Sequence, residues 1–219
     1  MPAALFAFEH VTLPGAERPR LDDVELELRD GGITAIAGPS GAGKSSLLRC
    51  CNRLEAPATG VVRYRGEDVG ARDPLAHRRE VAMVFQKPVL FAGTVADNLR
   101  VADPEASEAR IAELLGRAAL EPAFAQRDAG AISGGEAQRV CLARALATDP
   151  HAVLMDEPTS SLDADATATL EKLMRELAAA RVPVLLVSHG EEQIARVADR
   201  VVRMEDGRVT GIEERDGRG

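Results

Sequence analysis

The order of apolar segments along this 219-residue chain predicts an α/β fold with a mainly parallel core sheet. Three short apolar runs suit buried strands: Ile33–Ala37, residues 152–155 and Val184–Val187. Between them lie segments in which apolar residues recur at helical spacing, including a predicted helix from residue 43 to about residue 53. Because parallel strands need long crossover connections, strands that alternate with helices favour parallel pairing.

Further patterns complete the outline. Val24, Leu26 and Leu28 alternate with polar residues, which predicts a half-buried strand, and residues 61–64 and 81–85 are also predicted strands. Residues 94–131 are predicted to be mainly helical and inserted between the strands. Apolar residues between 166 and 177 mark one face of a later helix. Asp206-Gly207 lies between two apolar segments and predicts a β-hairpin.

The composition favours a soluble, intracellular protein with one sizeable core. The chain has a formal net charge of −8, and 45% of its residues are hydrophobic. An acidic chain is a poor candidate for non-specific nucleic-acid binding, so no nucleic-acid partner is expected. No stretch approaches the ~20 apolar residues that a membrane-spanning helix needs. Three cysteines without metal-ligand spacing are expected to be reduced and buried.

A glycine-rich loop follows the strand at Ile33–Ala37. It fits the pattern G-x-x-x-x-G-K-[ST] at every fixed position, between a predicted strand and a predicted helix. Glycines let backbone N–H groups point at phosphate oxygens, and the helix N-terminus adds partial positive charge. The alternative is a glycine-rich turn that matches by chance. The predicted phosphate-binding residues are Gly38, Pro39, Ser40, Gly41, Ala42, Gly43, Lys44, Ser45 and Ser46.

Two carboxylates follow the apolar run at residues 152–155. Asp156, at the end of the strand, is suited to the coordination shell of Mg²⁺. Glu157 is suited to orienting or deprotonating a water molecule that attacks the γ-phosphate. The alternative is an Asp-Glu pair that only caps a strand before the turn at Pro158, but the upstream phosphate loop favours catalysis.

A second anion-binding element is predicted at the start of another helix. Ser133 is a suitable N-cap residue, Gly134 and Gly135 follow it, and an apolar helical run begins at Val140. A helix N-terminus of this composition binds anions such as phosphate. The chain therefore carries two helix N-termini that are suited to phosphate groups.

Together, these motifs resemble those of ATP-binding-cassette proteins over nearly the whole chain. The segment Ser133-Gly134-Gly135-Glu136, followed by Gln138-Arg139, is similar to the family's signature sequence, with glutamate where glutamine is usual. The remaining landmarks resemble, in the family's order, the Q-loop glutamine (Gln86), the Walker B pair (Asp156 and Glu157), the D-loop acidic residue (Asp163) and the switch histidine (His189).

The resemblance implies one domain over residues 1–219. Its expected fold is a P-loop NTPase core of mainly parallel sheet, with an antiparallel N-terminal β part and an inserted helical subdomain at about residues 87–135. The implied cofactors are ATP and Mg²⁺. Lys44, Glu157 and His189 are the implied catalytic residues, and the implied Mg²⁺ site comprises Ser45, Gln86 and Asp156. Gln86, Asp163 and the signature residues are implied nucleotide contacts.

In the family, two such subunits face each other head to tail, so that each ATP lies between the phosphate loop of one and the signature of the other. The implied partners are therefore a second copy or a related cassette, and a separate transmembrane permease. The implied location is cytoplasmic and peripheral, on the inner face of the cell membrane. Residues 88–91 either contact the permease or belong to the core of the helical part. Residues 89–98 resemble small cassettes of phosphate importers and of iron- or metal-related exporters.

Two other functions fit the same motifs. One is a soluble cassette ATPase that acts in DNA repair or translation, although such proteins usually join two cassettes or carry long coiled-coil insertions. The other is a regulatory cassette that binds ATP without hydrolysing it, against which Glu157 and His189 argue. One departure concerns adenine: the family places an aromatic residue near the first strands, whereas residues 13–20 contain Arg18 and Arg20 but no aromatic residue. Two alternatives follow: an arginine plane takes the place of the aromatic ring, or recognition of the base is loose.

Overall fold

A computed structural model describes residues 4–215, so both ends of the predicted 1–219 domain lie outside the described residues. The first part of this range forms a four-stranded antiparallel sheet in the order β2-β1-β4-β5. Alternate residues of β2, from Val24 to Leu28, are buried, which confirms the predicted half-buried strand. The strands are β1 (Ala4–Leu13), β2 (Leu21–Arg29), β4 (Thr59–Tyr64) and β5 (Glu67–Asp68).

The second sheet has six strands in the order β10-β9-β3-β8-β7-β6. From β9 to β6 all neighbours pair in parallel, which confirms the predicted α/β class, and β10 is antiparallel to β9. Asp206 and Gly207 turn this hairpin with φ angles of 49° and 80°, as predicted from Asp-Gly. The strands are β3 (Ile33–Ala37), β6 (Val81–Val84), β7 (Ala152–Asp156), β8 (Val184–Val187), β9 (Arg200–Glu205) and β10 (Arg208–Glu214).

The helices pack around the second sheet and follow the predicted outline with shorter bounds. The first helix begins one residue later and ends before residue 53, because Gly43 adopts a left-handed conformation and Asn52 leaves helical geometry. The segment 94–131 contains two α-helices and two 3₁₀ turns. The α-helices are α1 (Lys44–Cys51), α2 (Pro74–Glu80), α3 (Val95–Arg100), α4 (Glu108–Arg117), α5 (Gly134–Leu146), α6 (Ala164–Ala179) and α7 (Glu191–Val197).

Two large apolar clusters hold these layers together. One cluster packs the antiparallel sheet against α1. The other packs the helices α3, α4, α5 and α6 against β7 and β8. Cys50, Cys51 and Cys141 are buried free thiols, as expected. Between residues 4 and 215, no helix is long and apolar enough to span a membrane.

The strand order determines where the site lies. In the order β3-β8-β7, three neighbouring parallel strands end at the same edge of the sheet. The phosphate loop follows β3, Asp156 ends β7, and His189 follows β8 by two residues. Ligands of open parallel sheets bind at the carboxyl ends of the strands, so this edge is the candidate site.

Candidate functional site

A cavity of about 220 Å³ lies at this edge and brings together three separate predicted motifs. The phosphate loop forms one wall, and Glu157 and His189 line the other side, although they are far from the loop in sequence. The cavity is lined by Arg20, Ser40, Gly41, Ala42, Gly43, Lys44, Ser45, Ser46, Glu157 and His189.

The glycines at two positions of the phosphate loop are required by close backbone approach. Gly38 has a φ of 151°, and a Cβ atom there would lie 2.0 Å from the carbonyl oxygen of Met204. Gly43 has a φ of 97°, and its Cβ would lie 2.3 Å from the carbonyl oxygen of Arg20. The loop is therefore packed against neighbouring backbone, which fixes its curvature.

Lys44 begins α1 and is held inside the curve of the loop. Its Nζ donates hydrogen bonds to the carbonyl oxygens of Gly38, at 2.9 Å, and Pro39, at 2.7 Å. Only 4% of the residue is exposed. Burial lowers the pKa of the Lys44 ammonium, while the nearby charges of Glu157 and Asp156 act in the opposite direction. The positive charge of Lys44 therefore lies near the carboxylates of Glu157 and Asp156.

Ser45 and Asp156 are brought into direct contact. The Ser45 hydroxyl donates to Oδ1 of Asp156 at 2.7 Å, and Asp156 is 5% exposed. The Arg49 guanidinium lies 3.8 Å from the other oxygen of Asp156. Over residues 4–215, no cluster of three or more His, Cys, Asp or Glu side chains is arranged to hold a metal ion. A cation bound by Ser45 and Asp156 would therefore need further oxygen ligands from other groups.

Glu157 has an unusual backbone conformation at the end of β7. Its φ is 46°, a left-handed value that is uncommon for a residue with a side chain. Its N–H donates to the carbonyl oxygen of Val187 at 3.0 Å, which ties the turn to β8. His189 Nε2 lies 2.5 Å from Oε1 of Glu157. The predicted base and switch histidine are therefore direct partners.

The other oxygen of Glu157 is bound by Gln86. Gln86 Nε2 donates to Oε2 of Glu157 at 3.0 Å and to the Ser160 hydroxyl at 3.3 Å. The motifs predict Gln86 as a metal and nucleotide ligand, but they do not predict its contact with Glu157. Its position in a loop after β6 gives no signal for this partner, because the contact joins residues 71 positions apart.

The predicted signature lies at a different place on the chain. Ser133 and Glu136 form a capping box at the start of α5, in which Glu136 accepts the Ser133 N–H at 2.7 Å. This hydrogen bond lowers the pKa of the Glu136 carboxyl. A glutamate at this position therefore stabilises the helix as a cap. Asp163 caps α6 by accepting the Ala166 N–H at 2.8 Å.

The signature residues and Asp163 line a second cavity of about 430 Å³. In the described part of the chain, this cavity shares no lining residue with the cavity of the phosphate loop. The two predicted phosphate-binding helix N-termini are thus not brought together within one chain.

Arg18 and Arg20 lie in the segment where the family places an aromatic residue to stack on adenine. Both are beside the phosphate loop. Arg20 lines the first cavity, and its guanidinium donates to the Ser46 hydroxyl at 3.4 Å and to Glu55 at 2.8 Å. Arg18 forms an ion pair with Asp206 of the β9–β10 hairpin. Its Nη2 would lie 3.8 Å from a Cβ placed on Gly41.

A buried polar network behind His189 is not predicted by the sequence. Gln193 of α7 accepts a hydrogen bond from the Ser188 hydroxyl at 2.7 Å and donates to Thr159 at 3.0 Å. It therefore links the loop after Glu157 to the strand end that carries His189. The sequence gives no signal for it, because a glutamine on a short helix is usually exposed.

Comparison with known proteins agrees with this geometry. The family model described as "ABC transporter" matches residues 21–160. The chain belongs to the ABC transporter family. Relatives within the family include Protein STAR1 of Oryza sativa subsp. japonica, 43% identical over 197 residues that make up 88% of this chain and 57% of that protein. The chain thus spans little more than half the length of that relative.

A second relative and a solved structure are also similar to this chain. The phosphate import ATP-binding protein PstB 3 of Natronomonas pharaonis is 37% identical over 206 residues, 88% of this chain and 74% of that protein. Among solved structures, a dimeric ATP-binding cassette in a post-hydrolysis state, bound to ADP and Pi, superposes with a TM-score of 0.85 at 28% identity. The match covers 97% of this chain and 99% of that one. The resemblance and the α/β P-loop fold inferred from the motifs are therefore confirmed.

Proposed function

We propose that this chain is the ATP-binding and ATP-hydrolysing subunit of an ABC membrane transporter, in which closure of a cassette dimer and hydrolysis drive translocation by a separate permease. The observation that carries the proposal is the cavity at the carboxyl edge of the sheet. It presents Lys44 and Ser45 on one side and Glu157 and His189 on the other. The phosphates of ATP and the attacking water would both be bound in this space.

In this proposal each side chain has a defined role in the attack of water on the γ-phosphorus. Glu157 orients the water and accepts its proton, and His189 holds the carboxylate and contacts the γ-phosphate. Lys44 stabilises charge on the β- and γ-phosphates. Backbone N–H groups of the phosphate loop bind the remaining phosphate oxygens. Little covalent chemistry is needed, because positioning and charge stabilisation dominate phosphoryl transfer.

Mg²⁺ fits the oxygen groups that the phosphate loop and β7 bring together. The Ser45 hydroxyl and the buried Asp156 carboxylate are hard ligands in contact with each other, and Mg²⁺ commonly completes its shell with phosphates and water. Gln86, whose amide binds Glu157, would supply its oxygen from the adjoining loop. When bound, the ion neutralises charge on the β- and γ-phosphates.

The separation of the two cavities supports a two-fold head-to-tail dimer. The signature cavity has a helix N-terminus suited to anions but lacks Lys44, Ser45 and Glu157 in its lining. A second copy, or a related cassette, would place its signature and Asp163 over the phosphates bound by Lys44 and Ser45. ATP then acts as an adhesive between subunits, and hydrolysis releases them.

An exposed apolar groove supports the permease as the other partner. The groove, of about 580 Å³, is lined by Phe85, Val89, Phe91 and Val101, which are 46% to 61% exposed. Clustered exposed apolar side chains mark interaction surfaces. Val89 and Phe91 therefore do not belong to the core of the helical part, which was the alternative to contact with the permease. Leu90 is partly buried against the core. The inserted subdomain at about residues 87–135 would carry much of this surface to the inner face of the membrane.

Phosphate release from MgATP tests this function. The purified chain is expected to release phosphate in a reaction that needs Mg²⁺ and stops when a chelator is added. The chain should co-purify with a transmembrane permease when it is isolated from its own membranes. ATP binding without phosphate release would favour the regulatory alternative. Stimulation by DNA or ribosomes, with no permease recovered, would favour the alternative in repair or translation.

Base selectivity is expected to be weak. No aromatic residue lies at residues 13–20, and an arginine guanidinium stacks on any base with little discrimination. Hydrolysis of GTP should therefore approach that of ATP, within about 5-fold in kcat/KM, because most binding energy comes from the phosphates. Parallel phosphate-release assays with the two nucleotides measure this ratio. An ATP preference above about 100-fold would contradict loose base recognition.

A further inference from the structure

Gln138 of α5 forms a buried contact that the proposed mechanism does not use. Only 1% of this glutamine is exposed. Its Nε2 donates to the carbonyl oxygen of Phe85 at 2.9 Å, across 53 residues of sequence. β6 ends at Val84, so Phe85 lies just beyond the strand. Gln138 therefore anchors the point at which the chain leaves the sheet.

The residue after Phe85 is Gln86, whose amide binds Glu157 at 3.0 Å. A shift of the Phe85 carbonyl displaces the peptide that carries Gln86. Because hydrogen bonds weaken steeply with distance and angle, a displacement of about 1 Å is enough to break the contact with Glu157. One hydrogen bond from α5 thus constrains the reach of Gln86 toward the hydrolytic carboxylate.

Other side chains on the same face of α5 hold the rest of this loop. Cys141 and Arg144 follow Gln138 at intervals of three residues, which places all three on one side of the helix. The Arg144 guanidinium donates to the carbonyl oxygen of Val89 at 2.8 Å, and the Cys141 thiol lies 3.7 Å from the same oxygen. α5 and the loop that borders the apolar groove are therefore connected along their length.

The N-terminus of α5 is the signature, capped by Ser133. One helix thus carries the signature at its start and the anchor for Gln86 one turn later. We propose that Gln138 is a positioning residue: it holds the Phe85 carbonyl so that Gln86 reaches Glu157, and it transmits the position of the signature helix to the hydrolytic carboxylate. This inference rests on the proposed ATPase function and adds a residue that determines its rate.

The test is a double-mutant cycle between Gln138→Met and Gln86→Ala. Methionine has a similar length but cannot donate a hydrogen bond. In the wild-type background, Gln138→Met is expected to lower kcat about 10-fold, through misplacement of Gln86, with KM for ATP changed less than about 2-fold. In the Gln86→Ala background the same change should lower kcat less than about 2-fold, because the two residues act in series.

Val140→Ala is the matched control, since Val140 is fully buried on the same helix and has an apolar side chain. It is expected to lower the melting temperature and to have the same relative effect on kcat in both backgrounds. Should Gln138→Met not fold, Gln138→Asn serves instead, because its amide is too short to reach Phe85. Equal effects of Gln138→Met in both backgrounds, or no effect in the wild type, would overturn the inference. Failure of the wild-type chain to hydrolyse ATP would instead overturn the proposed function, and the inference with it.

Discussion

Replacing Glu157 with glutamine is expected to abolish turnover while leaving ATP binding intact. Glutamine has the same shape but cannot accept a proton from the attacking water, and loss of a general base costs about 100- to 10,000-fold in rate. Lys44, Ser45 and the loop backbone, which would bind the phosphates, remain unchanged. Single-turnover phosphate release measures the loss of turnover, and equilibrium binding of ATP measures whether ATP binding is retained.

The same variant should accumulate as an ATP-dependent dimer, because hydrolysis is the step that separates the subunits. Sedimentation with and without ATP detects this change in mass. Glu105→Gln is the matched control, since it removes an exposed glutamate outside the cavity and should turn over like the wild type. If Glu157→Gln hydrolyses ATP within about 3-fold of the wild-type rate, Glu157 is not the general base.

Gly134→Asp is expected to cause the second large loss of ATP hydrolysis. Gly134 is exposed at the start of α5, and a Cβ there would meet no atom within 4 Å, so the chain should fold normally. Aspartate in the first turn of a helix is even favourable in the isolated subunit. In the proposed dimer, however, its charge would face the phosphates of the partner's ATP. We expect kcat to fall at least about 100-fold, comparable to loss of one charge-stabilising group.

Gly116→Asp provides the matched control for charge and for glycine replacement. Gly116 lies in α4 and is also exposed, and a Cβ placed on it would likewise meet no atom within 4 Å. This variant should retain hydrolysis within about 2-fold of the wild type, as surface substitutions usually do. Melting temperatures of the two variants establish that both are folded. Normal hydrolysis by Gly134→Asp would show that the signature does not face phosphate.

The sequence was sufficient for most of the fold because its signals are local. The buried strand Ile33–Ala37 and the Asp-Gly hairpin are specified by short apolar runs and turn chemistry. α1 ends at Cys51, two residues before the predicted end, and Asn52, which leaves helical geometry, donates a hydrogen bond to the sulfur of Met83, 31 residues away. Helix ends depend on such tertiary contacts more than on propensity.

In the site too, contiguous motifs could be recognised from the sequence, whereas contacts between distant segments could not. The phosphate loop and the acidic pair are contiguous motifs, so their residues could be named from spacing alone. The contact of Gln86 with Glu157, and the anchor from Gln138 to Phe85, join distant segments and involve a residue type with many possible partners. No periodicity or composition encodes them, since they arise only when β6, β7 and α5 pack together.

The central claim is that each hydrolytic site is built from two chains, and mixing two inactive variants tests it most directly. Glu157→Gln keeps an intact signature, and Gly134→Asp keeps an intact phosphate loop and Glu157. In an equal mixture, about half of the dimers that first form when ATP is added combine both variants, and each mixed dimer contains one complete site. We therefore expect the mixture to recover about a quarter of wild-type phosphate release, although each variant alone is inactive. A mixture that releases no more phosphate than the separate variants would contradict a site shared between two chains.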